Sequence, residues 1–208
     1  MQIKQFIFNP FQENTYLLWD DALNTVVIDP GCREAHERKQ LHDFIKQKGL
    51  KLSQCWLTHA HLDHVFGCQW IRDQFGLEPL MHEQEEQVYL AGPQVAEMYG
   101  VGPLSLPKSY QLISETNELS LGDFRPQLFH TPGHSPGSIC YYFALDHLLI
   151  SGDVIFKQGM GRTDLPGGNH KQLMHSIQEI VLKLPLDTII YSGHGEPTSV
   201  GEEMIYYR

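Results

Sequence analysis

Short apolar and β-branched runs separated by polar turns fill the first thirty residues. Ile3–Phe8, Thr15–Trp19 and Thr25–Ile28 read as strands, and Asp29-Pro30-Gly31 closes the third as a turn. The period then changes. Glu34–Lys48 places Leu41, Phe44 and Ile45 at helical spacing, with Gly49 just beyond the end. Ser53–Leu57 is the next strand, Val65–Phe75 a helix stopped by Gly76, Pro79–Met81 a short strand and Glu83–Leu90 a helix. Ala91–Pro107 loses periodicity and is rich in Gly and Pro, which predicts an irregular loop with at most a turn of helix around Met98. Strand character returns at Leu119–Leu121, Arg125–Phe129, Ile139–Phe143 and His147–Ile150. His170–Leu184 is a helix with Leu173, Ile177, Ile180, Val181 and Leu184 on one face, and Asp187–Tyr191 is a last core strand. No linker interrupts this order. It favours an α+β chain with two sheets face to face and helices outside, in one domain spanning residues 1–208.

Composition narrows the class without changing that picture. An apolar fraction of 41% and a charged fraction of 19% are those of an ordinary globule. The net charge of −10, without a block of like charges, argues against a nucleic-acid partner. No apolar run is long enough to span a bilayer, and Met1–Phe6 lacks the layout of a signal peptide. Cys32, Cys55, Cys68 and Cys140 form no CxxC pair and are expected as reduced, mostly buried thiols. The expected location is cytoplasmic.

The chemistry concentrates after the Ser53–Leu57 strand. Thr58-His59-Ala60-His61-Leu62-Asp63-His64 supplies three imidazoles and a carboxylate, good ligands for a borderline divalent metal. His134 follows in Thr131-Pro132-Gly133-His134-Ser135-Pro136-Gly137, Asp153 in Ser151-Gly152-Asp153, and His194 in Tyr191-Ser192-Gly193-His194-Gly195. Each lies just past a strand in a glycine-shaped turn. Alone, a Gly-His pair is more often a capped turn than a ligand. Together the four segments give five histidines and two aspartates, too many donors for one tetrahedral ion and suited to two metals sharing a carboxylate. Such a pair generates a bridging hydroxide near neutral pH and polarises a carbonyl or phosphoryl oxygen, so the implied chemistry is hydrolytic. No nucleophile elbow or phosphate loop competes with it.

In this order, THAHLDH, TPGHSPGS, SGDVIF and SGHG resemble the signature of the metallo-β-lactamase superfamily. The resemblance implies a four-layer αββα sandwich with the metals at one edge. It implies His59, His61 and His134 on the first metal and Asp63, His64 and His194 on the second, with Asp153 bridging. Leu149–Phe156 followed by Gly161–His170 is similar to the glyoxalase II group, specifically its short bacterial members. That implies hydrolysis of a small-molecule thioester, an S-2-hydroxyacylglutathione or relative, with Asp63 and Asp153 in the catalytic machinery. Two divalent metals follow, zinc first, with iron or manganese as alternatives. Arg162 is implied to meet a substrate carboxylate; the plainer reading pairs it with Asp164 to shape the loop.

The chain departs from that group in two places. It ends soon after His194, without the C-terminal helical domain of full-length glyoxalase II. Glu196 stands where the group has a glutathione-contacting tyrosine. Substrate contacts are therefore also sought in Ala91–Pro107, whose Met98 and Tyr99 suggest a lid. The rival readings are a persulfide dioxygenase holding one iron on His59, His134 and Asp153, which shares the Gly161–Asp164 segment, and a lactonase. A β-lactamase is disfavoured by the absent export signal, and a non-catalytic protein by the presence of all seven donors. His36, His42, His82, His130, His147, His170 and His175 are read as ordinary surface or strand-edge residues, His170 with some claim to the substrate side. Oligomeric state is not legible.

Overall fold

Every residue of Glu13–Trp19 and of Ile139–Phe143 is buried, so these strands need cover on both faces. The computed structural model, which describes residues 1–207, supplies it with four layers. One sheet runs in chain order through β1 (Gln2–Phe8), β2 (Glu13–Trp19), β3 (Asn24–Ile28), β4 (Lys51–Trp56), β5 (Pro79–His82) and β6 (Gln111–Ile113). Its first three strands are antiparallel and the remaining pairings parallel. The rest of the strands are β7 (Gln127–His130), β8 (Ile139–Phe143), β9 (Leu148–Gly152), β10 (Ile155–Phe156), β11 (Gly159–Met160), β12 (Ile189–Ser192) and β13 (Thr198–Ser199). Of these, β10 and β11 form a separate ribbon, and the second sheet has the order β13-β12-β9-β8-β7.

Alternation divides the apolar residues between layers. Tyr16, Leu18, Val26, Ile28 and Trp56 from the first sheet meet Ile139, Tyr141, Phe143, Leu148 and Ile150 from the second. Trp56 stacks on Tyr141 across this central layer at 5.2 Å between ring centroids. Truncating such a fully buried indole to alanine costs about 3–5 kcal/mol. The opposite faces bury Leu17, Val27 and Cys55 with Leu41, Ile45 and Ile71, and Cys140, Leu149 and Ile190 with Leu173 and Ile177. Those covering residues come from α1 (Ala35–Lys48), α3 (Cys68–Phe75) and α5 (His170–Glu179); α2 (Leu62–Val65), α4 (Glu86–Met98) and α6 (Val200–Glu203) complete the helices. The expected αββα sandwich is therefore present.

Four local expectations need correction. Residues 65–75 are not one helix, because the Gly67 N–H bonds Pro30 O at 2.7 Å and separates α2 from α3. Most of the expected Ala91–Pro107 loop is helix: α4 continues to Met98 with Pro93 inside it. Pro93 is exposed, and burial of Tyr89, Gly92 and Ala96 on the other side outweighs its missing donor. The remaining loop is tethered by Arg33, whose guanidinium bonds Val101 O, and by Tyr89 Oη on Pro107 O at 3.1 Å. The helix beginning at His170 stops at Glu179 and gives way to a 3₁₀ turn, Val181–Lys183, ahead of extended Leu184 and Pro185. Leu119–Leu121 is no strand beyond a single Leu121–Phe124 bridge, whereas Gln111–Ile113 is one.

Candidate metal centre

All seven expected donors converge at one edge of the sandwich. The histidine-rich segment leaves β4 through Thr58, whose N–H and hydroxyl donate to Asp29 Oδ1 and Oδ2 at 2.7 and 2.6 Å. Asp29 sits at the end of β3 in the left-handed region (φ 50°), a strained conformation that the surrounding bonds must hold. Its Oδ2 also accepts from His64 Nδ1 at 3.0 Å. The Thr58 hydroxyl, already donating to Asp29, accepts from His59 Nδ1 at 3.1 Å. His134 follows β7 and donates Nδ1–H to Arg162 O at 2.8 Å. Asp153 follows β9 and His194 follows β12. The His194 loop is fastened to β2: Asn14 Nδ2 bonds Ser192 O and Gly195 O, each at 2.9 Å, and Tyr16 Oη bonds Ser192 O at 2.6 Å. A β-carbon at Gly193 would lie 2.1 Å from Asp153 Oδ1, so only glycine lets the two loops meet.

These outer bonds fix the tautomers. With protons on Nδ1, His59 and His134 each turn a lone pair on Nε2 inward, and His64 points its Nε2 the same way. His134 Nε2 stands 3.2 Å from His59 Nε2 and 2.8 Å from His61 Nδ1, so three imidazole nitrogens face one point. On the other side His194 Nε2 lies 3.1 Å from Asp63 Oδ2, and His64 Nε2 lies 3.7 Å from the same oxygen. Asp153 stands between the groups. Its Oδ1 is 3.4 Å from His64 Nε2, and its Oδ2 is 3.5 Å from both His134 Nε2 and His194 Nε2.

The electrostatics differ across the centre. Burial, followed by the neighbouring imidazoles, holds His59 well below the ordinary imidazole range. Burial and then His134 push His61 down to about 3. Burial alone would also lower His64, but Asp63, Asp153 and Asp29 outweigh it and raise this group well above the ordinary range. For Asp153 burial is the largest influence and works upward; His64, His134 and His194 overcome it and hold the carboxyl low.

The donors fit divalent metal, in two candidate groups, His59–His61–His134 and Asp63–His64–His194. His64 Nε2 and Asp153 Oδ1 are buried and make no hydrogen bond, facing each other only as an ion pair at 3.4 Å, an arrangement that a coordinated metal would satisfy. Imidazole nitrogens with outer N–H groups tied to oxygen, together with carboxylates, are the donor chemistry of zinc and iron sites.

Arg162, whose carbonyl meets His134, and Glu196, two residues beyond His194, are both exposed. Arg162 is held by Asp164 through Nε–Oδ1 at 2.7 Å and a second nitrogen on Oδ2 at 2.6 Å, the plainer of its two expected pairings. Glu196 pairs with Lys157 at 2.7 Å beside a cleft of about 370 Å³ lined by Phe156 and His194. Met98 and Tyr99 are both exposed.

Asp29, Asn14 and Glu85 were not singled out among the expected site residues, although Asp29 stood in a strand-end turn of the same kind as the others. His82 and His130 also prove to be more than edge residues. Their rings stack at 4.2 Å, and His82 Nε2 faces Glu115 Oε2 at 3.2 Å. Because His82 Nδ1 accepts from Gln84 N at 3.2 Å, its proton sits on Nε2, which suits a hydrogen bond to Glu115 and not a metal.

A four-layer sandwich with histidines and aspartates from several strand-end loops converging at one edge defines a metal-dependent enzyme. The sequence comparison supplies its family: residues 8–194 match the model of the metallo-beta-lactamase superfamily, and the chain belongs to it as a metal-dependent hydrolase. It is 34% identical over 205 residues to hydroxyacylglutathione hydrolase GloC of Haemophilus influenzae, covering 98% of this chain and 95% of the relative. Among solved structures it is similar to the BLEG-1 B3 metallo-beta-lactamase (TM-score 0.90, 38% identity, 98% and 97% of the two chains). It is likewise similar to TTHA1623 in a di-iron-bound form (TM-score 0.87, 32% identity, 97% and 96% covered). No helix among the described residues is long and apolar enough to cross a membrane.

Proposed function

We propose that this chain is a dinuclear thioester hydrolase of the glyoxalase II type, acting on an S-2-hydroxyacylglutathione or a related small thioester. The observation that carries the reading is the pair of buried atoms without a hydrogen bond, His64 Nε2 and Asp153 Oδ1, between two sets of converging donors. The full-length similarity to GloC supports the substrate class. In this reading His59, His61 and His134 hold one ion, Asp63, His64 and His194 the other, and Asp153 both. When bound, the ions supply an activated water and polarise the acyl oxygen. Asp63 and Asp153 would orient that water, and the thiolate would leave without a dedicated acid because a thiol, with a pKa of about 8.5, is a tolerable leaving group. Arg162, exposed beside His134, meets a substrate carboxylate by exchanging Asp164 for it.

A mononuclear iron centre on His59, His134 and Asp153 is the weaker reading, since it leaves His64 Nε2 buried without a hydrogen bond. The di-iron form of TTHA1623 supports iron as a possible occupant of a two-metal site, so metal identity and reaction are tested together. Anaerobically purified protein is analysed for metals, and the same preparation assayed with S-lactoylglutathione, simpler thioesters, a lactone, a β-lactam and glutathione persulfide. Two metals per chain with fastest turnover on a thioester is expected. One iron with oxygen uptake on the persulfide, or fastest turnover on the β-lactam or lactone, would overturn the proposal.

A further inference from the structure

Glu85 is fully buried, yet none of the seven donors is its hydrogen-bond partner. Its carboxylate accepts three hydrogen bonds from two separate loops. Oε2 takes the N–H of Ala60 at 2.9 Å, between His59 and His61. Oε1 takes the Ser135 hydroxyl at 2.5 Å, next to His134, and the Gly137 N–H at 2.6 Å. One side chain thus joins the two loops that carry the three-histidine set.

Local structure puts Glu85 there. Strand β5 ends in His82, whose Nδ1 caps the following 3₁₀ turn, Glu83–Glu85, by accepting from Gln84 N. The same histidine stacks on His130, and His130 Nε2 donates to Pro136 O at 2.9 Å, so the turn braces both ends of the His134 loop. A β-carbon at Gly137 would stand 2.7 Å from Glu85 N, which leaves the loop no slack for a side chain. The other donors are braced elsewhere: His64 by Asp29, the Asp63 carbonyl by Asn9 Nδ2 at 3.0 Å, and the His194 loop by β2.

We infer that Glu85 is a positioning residue specific to the three-histidine subsite, setting His59, His61 and His134 at the spacing one metal requires. Its chemistry suits the task. Three donors converge on two acceptor oxygens, and only a carboxylate accepts at both. Glutamine has the same shape but one acceptor. Its amide NH₂ must face either the Ala60 N–H or the Ser135–Gly137 donors, and whichever loop it faces is released.

The inference rests on the two-subsite reading above, and one titration separates the two. Metal-free parent, Glu85→Gln and His61→Asn chains are titrated with zinc and with cobalt(II), the cobalt followed by its visible spectrum; His61→Asn marks the isotherm of the three-histidine subsite. Parent binding of fewer than two ions would defeat the two-subsite reading itself. With two parent sites, Glu85→Gln is expected to weaken the marked site about 10- to 100-fold and alter its cobalt spectrum. The other site should retain parent affinity. Equal losses at both sites, or unchanged affinities with only a lower Tm of the metal-free chain, would overturn the inference and leave Glu85 a general structural residue. If Glu85→Gln does not fold, Ser135→Ala removes one of the three bonds and leaves the carboxylate. A smaller loss confined to the marked site is then expected, and none would overturn it.

Discussion

The two halves of the centre are built from different charges. His59, His61 and His134 form an all-imidazole half in which burial and mutual proximity keep His59 and His61 neutral. The half containing Asp63, His64 and His194 includes a carboxylate, and its histidines are pushed toward protonation by carboxylates: His64 by Asp63, Asp153 and Asp29, and His194 by Asp63 and Asp153 against the opposing effect of burial. Without metal, the second half is internally compensated by ion pairing, while the first has Asp153 alone, 3.5 Å from His134 Nε2, as a facing carboxylate. Order in the first half must therefore come from outside, which is the task assigned to Glu85.

Substitutions and conditions that act on both halves have the largest expected effect. Asp153 contacts each half, through Oδ1 to His64 and Oδ2 to His134 and His194. Asp153→Asn should reduce turnover at least ~10²-fold, since several kcal/mol of transition-state charge stabilisation accompany the metals. It should also leave fewer than two ions per chain by elemental analysis. Full turnover with both ions retained would remove Asp153 from the bridging place proposed for it.

Metal removal comes next. An ion at a free concentration 100 times its Kd stabilises the folded state by about 2.7 kcal/mol per site. Chelation should then lower Tm by roughly 5–10 °C per site for a chain of this size. The first half, lacking internal charge compensation, should contribute at least as much as the second. Comparing His61→Asn with His194→Asn, each with and without chelator, measures the two shares; a chelation shift confined to the His194 half would reverse the contrast.

Asp29→Asn is the counterpart of the Glu85 substitution. It weakens the bond to His64 Nδ1 and leaves Asn with one acceptor for the Thr58 N–H and hydroxyl. Affinity should fall about 10-fold or more at the Asp63–His64–His194 site. A lesser fall is expected at the other, reached only through Thr58 and His59. Isotherms showing the opposite order would show that the halves are not separately braced.

This division also explains what could be read from residues alone. The seven donors were legible because each stands in a short turn directly after an apolar strand, often between glycines. Their outer partners were not. Glu85 looked like one acid in an acidic, helix-forming run, and its role depends on Ala60, Ser135 and Gly137, up to 52 residues away. Asn14 lies inside a strand and reaches a loop 181 residues distant. The facing sheets were legible from the order of strands and helices, and their four layers from the family resemblance, whereas α4 was obscured because Gly92 and Pro93 interrupt its periodicity while packing still carries the helix through. Gln111–Ile113 is too short to show a period.

The smallest expected effect is a pH dependence of the metal-free chain that differs in sign between the halves. His61 titrates at about 3 when folded against an ordinary value of 6.5, so between these values the unfolded chain binds a proton that the folded chain refuses. Its contribution is complete above about pH 6.5 and is lost as pH falls toward 3. His194 is raised above 6.5; its contribution is complete below that value and is lost as pH rises through its folded pKa. Asn substitution removes either titration. In chelator, His61→Asn should therefore lose less Tm than the parent between pH 6.5 and 4. His194→Asn should lose less between pH 6.5 and 8. Calorimetric scans across pH 4–8 test both slopes on the same three chains. If the curves run parallel, imidazole charge does not differ between the halves, and bracing by Glu85 and Asp29 would remain as the distinction between them.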